Sequence, residues 1–136
     1  MGEYEDTLKE IEQTFGLVPG FMKGIPPEQL VVEWPIMKKY VLGQSKVPEK
    51  YREFIGLSTA ATMKCPYCQL FHLSAAKLRG ATDEELAEVA YLSSFTARWS
   101  NMIHAQHYDY AKFRLEMEQI VAHLTKLMKK NQGASH

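Results

Sequence analysis

Both cysteines of the chain fall in one tetrapeptide, Cys65-Pro66-Tyr67-Cys68, and His72 follows four residues later. In a reducing compartment a Cys-x-x-Cys pair signals dithiol–disulfide or metal chemistry rather than a structural staple. The thiolate is the reactive form of cysteine, and a helix N-terminus favours it through unpaired amides and the helix dipole. If a helix begins at Cys65, a step of about 100° per residue brings Cys68 and His72 onto its face. His72 can then take a proton from Cys68 or return one to a leaving group.

Glu53 joins this set through geometry. Helices over 48–63 and 66–79 would form an antiparallel hairpin turning near Lys64. At about 1.5 Å per residue, Glu53 lies about 16 Å back along one arm and His72 about 12 Å along the other. The two side chains reach nearly the same height. A carboxylate beside an imidazole fixes its tautomer and raises its basicity. Gly56, Ala60, Ala75 and Ala76 are small enough to let the arms approach closely.

Two other readings use the same residues. The cysteines could be half of a zinc site, with His72 as third ligand and His104 or His107 as fourth, since His104-Ala105-Gln106-His107 is an i, i+3 pair. Alternatively the motif could be core in a purely structural oligomer. Structural zinc organises small domains with poor cores, whereas 46% of these residues are apolar. The redox reading is therefore preferred.

The elements that must position these residues are helical, and the predicted fold is all-α, a single domain over residues 1–136. Tyr4, Leu8, Ile11 and Phe15 recur at helical spacing, and Gly16 is placed to end that helix. Residues 17–27 read as a connector. Pro26-Pro27-Glu28 reads as a helix start, and Pro35 as the start of another helix running to Gly43. Pro48 opens the next, and Gly80 closes the helix that begins at Cys65. Thr82-Asp83-Glu84-Glu85 is a capping box. A less regular stretch is expected around 93–100, and then Phe113, Met117, Ile120, Leu124 and Leu127 form an apolar stripe. No segment alternates with period two, so no sheet is expected. Trp34, Trp99, Tyr108 and Tyr110 read as lining a pocket or an interface or, as is commoner for aromatics at helical spacing, as core.

Sixteen basic residues balance sixteen acidic ones, which removes any electrostatic case for binding nucleic acid or an anionic membrane. The apolar run 54–63 is about half of what spans a bilayer. The acidic start, Glu3-Tyr4-Glu5-Asp6, lacks the basic and apolar regions of a signal peptide. A cytoplasmic location is expected.

Arg52-Glu53, Cys65-Pro66-Tyr67-Cys68-Gln69-Leu70-Phe71-His72 and Leu78-Arg79-Gly80-Ala81-Thr82-Asp83-Glu84-Glu85-Leu86 together resemble the carboxymuconolactone decarboxylase family, in its alkylhydroperoxidase D-like branch. That branch carries a glutamate, then twelve residues later Cys-x-x-Cys-x-x-x-His, and the resemblance covers roughly residues 15–110. It implies an all-helical fold, assembly as a homo-trimer or homo-hexamer, and peroxidase or disulfide-reductase (antioxidant) chemistry without metal or organic cofactor. Electrons would come from a thioredoxin-like or lipoyl-type thiol. Carried over, Cys68 resembles the peroxide-attacking thiol, Cys65 the resolving thiol that also meets the electron donor, and Glu53 with His72 the proton relay. Family decarboxylases lack the cysteine pair, so lactone chemistry is not expected. A peroxidase member has a histidine just before its second cysteine. Tyr67 stands there in this chain, and a phenol is a poor proton shuttle at neutral pH. Dithiol–disulfide exchange needs only the two sulfurs and a poised pKa.

Overall fold

A computed structural model describes residues 2–134, and no strand occurs among the described residues. The helices are α1 (Glu3–Phe15), α2 (Pro27–Met37), α3 (Glu49–Met63), α4 (Pro66–Leu78), α5 (Asp83–Ala105) and α6 (Tyr110–Gly133), with a 3₁₀ turn at Gly20–Gly24 and a π-helical turn at Lys38–Leu42. The chain divides into two compact units, Met1–Ala90 and Tyr91–His136.

In the first unit, Ile11 of α1 packs with Met22, Leu30 and Trp34, and Tyr4, Leu8 and Phe15 cover this cluster. The spacing that marked α1 as amphipathic is thus the face that becomes core. Gly16 ends the helix at φ 80°, its N–H returning to the carbonyl of Glu12, a conformation glycine adopts without a Cβ penalty. Trp34 Nε1–H donates to Glu10 Oε2 at 2.9 Å, joining α2 to α1.

Three local expectations are corrected. Pro35 starts no helix but lies inside α2. Proline lacks one helical N–H, yet the buried side chains of Leu30 and Trp34 hold the segment helical through that gap. Past Met37 the bonding widens to a π turn that ends at Gly43. The connector after Gly16 contains the 3₁₀ turn, and the serine-rich stretch 93–100 is regular helix within α5. There Ser94 Oγ–H donates to the Tyr91 carbonyl, so the hydroxyl satisfies itself along the helix instead of breaking it.

The α3–α4 hairpin forms where the sequence placed it. Lys64 takes the left-handed conformation, φ 58°. Its N–H bonds the Ala61 carbonyl and Cys65 N–H bonds that of Ala60, the paired closure of a Schellman motif. This turn delivers Cys65 to the N-cap of α4, with Pro66 in the first helical position. The capping box is also present: Glu85 N–H donates to Thr82 Oγ1 at 3.1 Å, and Thr82 N–H to Glu85 Oε2 at 3.0 Å.

Within the second unit, His107 occupies the left-handed region at φ 49°. Asp109 then caps α6, its Oδ1 accepting from Lys112 N–H at 2.7 Å.

Candidate functional site

Cys65 caps α4 with its own sulfur, which accepts Cys68 N–H at 3.3 Å. The two sulfurs lie 2.8 Å apart, and both residues are half-buried. This arrangement splits the pair's acidity. The Cys65 thiol is pulled below the ordinary cysteine range, first by the hydrogen bond from the Cys68 side chain and then by backbone N–H groups. Cys68 is pushed above that range, first by the same hydrogen bond, then by burial and by the charge on Cys65. The two thiols therefore titrate apart, Cys65 as the more acidic and Cys68 as the less acidic.

One turn along α4, His72 Nδ1 lies 2.8 Å from Glu53 Oε2 of α3. Glu53 is buried, at 3% exposure, while the His72 side chain keeps partial access to solvent. A buried carboxylate accepts, so Nδ1–H donates to it and Nε2 is left as the proton acceptor. The Phe71 ring stands edge-on to the imidazole, centroids 5.1 Å apart.

The structure therefore brings Glu53 to His72 and Cys65 to Cys68, with His72 one turn from Cys68. His104 and His107 belong to the second unit, where they line a cavity of about 770 Å³ with Phe95, Trp99, Tyr110 and Phe113. His104 Nδ1–H donates to the Ser100 carbonyl. Among the described residues, no three His, Cys, Asp or Glu side chains are grouped to hold a metal ion, so the metal-module reading finds no assembled donor set. Of the four aromatics singled out, Trp34 is buried, while Trp99, Tyr108 and Tyr110 line the cavity.

Two contributions escaped the sequence reading. Gly56 faces the His72 ring so closely that any Cβ would collide with it; the small residue signalled close helix approach but not its target. Arg52 donates to the carbonyls of Tyr40 and Gly43, and Arg79 to that of Leu42 while pairing with Glu49. The two guanidiniums thus tie α3 and α4 to the carbonyl end of the π turn, where cations are favoured. Only the turn's final position shows which carbonyls they meet.

An all-helical chain with this hairpin has the alkylhydroperoxidase D-like fold. A crystal structure of the alkylhydroperoxidase AhpD core from Rhodospirillum rubrum is similar at TM-score 0.70 and 25% identity, covering 83% of this chain and 86% of that one. The chain belongs to the carboxymuconolactone decarboxylase family, whose model matches residues 33–108. That segment includes Glu53, Cys65, Cys68 and His72. No curated protein gave a match. Among the described residues no helix is long and apolar enough to cross a membrane.

Proposed function

We propose that the protein is a thiol-dependent oxidoreductase that reduces hydroperoxides or disulfides through Cys65 and Cys68. Electrons come from a thioredoxin-like or lipoyl-type dithiol, and the protein acts in the cytoplasm as a homo-oligomer. The observation that carries this reading is the approach of two sulfurs to 2.8 Å at the N-cap of α4, one turn from an imidazole held by a buried carboxylate.

With a hydroperoxide, His72 takes the Cys68 proton and the Cys68 thiolate attacks the outer oxygen. An S–O bond forms, the O–O bond breaks, and the alcohol leaves with the proton returned from His72. The Cys65 thiolate then attacks the Cys68 sulfenic acid. An S–S bond forms and hydroxide leaves, becoming water on protonation. The external dithiol supplies two electrons to restore both thiols.

A disulfide substrate reverses the order. Cys65, the more acidic thiol, attacks first as its thiolate, and Cys68 resolves the mixed disulfide after losing its proton to His72. The N-cap position and lowered pKa of Cys65 favour this second mode.

Mass spectrometry with a sulfenic-acid trap tests both modes. Peroxide should trap sulfenic acid on Cys68 in Cys65→Ser and give none in Cys68→Ser. A small aromatic disulfide should give a mixed disulfide on Cys65 in Cys68→Ser. If neither variant forms any adduct at neutral pH, the redox reading fails; if peroxide labels Cys65 instead, the roles of the sulfurs are exchanged.

A further inference from the structure

The last helix, α6, carries a surface that the redox site does not use. Met117, Ile120, Leu124 and Leu127 follow one another at alternating three- and four-residue steps, the a/d spacing of a coiled-coil seam. Val121 and Met128 widen the same stripe. At about 100° per residue, these six side chains fall within an arc of about 120°. Each is solvent-facing, from 39% exposed at Met117 to 64% at Met128. Every residue from 117 to 133 is exposed. A helix standing alone in water is marginal, and a contiguous apolar patch of this kind marks an interaction surface.

Charge selects the occupant and its direction. Lys126, Lys129 and Lys130 lie at one end of the helix, while at the other Lys112 and Arg114 are offset by Glu116 and Glu118. A second copy of α6 running parallel would set lysines beside lysines. Running antiparallel, it sets this mixed end, with Glu116 at the edge of the stripe, against the basic one. We infer that α6 pairs with α6 of a second copy of this chain in an antiparallel coiled coil. Met117 then faces Leu127 of the second copy, Ile120 faces Leu124, and each Glu116 flanks a Lys130. Glu116 already accepts from the Tyr108 hydroxyl at 2.7 Å, and a carboxylate has lone pairs to spare for the ammonium. This pairing deepens the self-association part of the reading above. It is two-fold symmetric, so it yields even-numbered assemblies: a dimer alone, or a hexamer if a threefold contact also forms.

Sedimentation velocity of the full chain at micromolar concentration, with a charge-reversal cycle, tests the inference. Ile120→Glu with Leu124→Glu should halve the assembly mass while the cysteine redox titration stays unchanged. Lys130→Glu and Glu116→Lys should each raise the dissociation constant on the order of tenfold, because two symmetry-related exposed pairs turn repulsive. The double variant E116K/K130E should recover most of that loss relative to E116K, and since both lack the Tyr108 hydrogen bond, the comparison isolates the intermolecular pair. Masses insensitive to the Ile120 and Leu124 changes would overturn the interface, as would a monomer whose α6 binds anionic vesicles. A double variant no better than the single ones would overturn the antiparallel arrangement. None of these results touches the redox reading, which fails only through the cysteine experiments.

Discussion

Gly56→Ala offers a sharp probe of how the site is built. A Cβ at position 56 would come to 2.5 Å or less from Cε1, Nδ1 and Nε2 of His72, where real Cβ contacts stay above 3.0 Å. The α3 backbone cannot yield without breaking helical hydrogen bonds, so the ring must retreat, by about 1 Å for ordinary contact. That retreat lengthens the 2.8 Å bond from His72 Nδ1 to Glu53 Oε2 to about 3.8 Å, which is no longer a hydrogen bond. Overpacking costs about 1–3 kcal/mol, and the orphaned, buried Glu53 a further 1–3 kcal/mol or so. Alanine in mid-helix returns about 0.5–1 kcal/mol. The expected net destabilisation is about 1–5 kcal/mol, measured by urea unfolding of the reduced protein. Oxidation of Cys68 by peroxide should slow by about a hundredfold as the base leaves its position. The decisive control is the His72→Ala background. With no ring to strike, Gly56→Ala should there stabilise by up to about 1 kcal/mol and leave the residual rate alone. An equal loss in both backgrounds would refute the argument, since the imidazole would not be what the missing Cβ makes room for.

Cys65→Ser should lower the pKa of Cys68, because the hydrogen bond to Cys65 and the charge on it are main causes that hold Cys68 high. The pH profile of Cys68 alkylation should shift to lower pH, whereas in Cys68→Ser the Cys65 profile should shift to higher pH with the loss of its strongest stabiliser. Lys64→Gly should stabilise the protein by about 0.5–1 kcal/mol in the same unfolding assay, since glycine holds the left-handed turn conformation without a Cβ clash, and peroxide reactivity should not change.

Most of the α3–α4 hairpin was legible in the chain itself, because its signals are local. Pro48, Pro66 and Gly80 bound the two arms, and helical rise alone put Glu53 and His72 at one height. The tetrapeptide fixed which sulfurs lie one turn apart. The capping box at Thr82 and the stop at Gly16 were equally local, each a side chain or a missing Cβ acting within one turn. Other features depended on neighbours distant in sequence. Pro35 reads as a boundary, yet packing of Leu30 and Trp34 carried α2 through it. Arg52 and Glu53 are adjacent residues of opposite charge on one helix. Helical rise put Glu53 level with His72, but only the folded hairpin turned Arg52 toward the carbonyls of the π turn. The sequence determined which groups could perform the chemistry and on which helices they stand. The approach of the two sulfurs, and the fit of the His72 ring against Gly56, were decided by the tertiary structure, because each depends on distances between atoms that helical periodicity fixes only to within a turn.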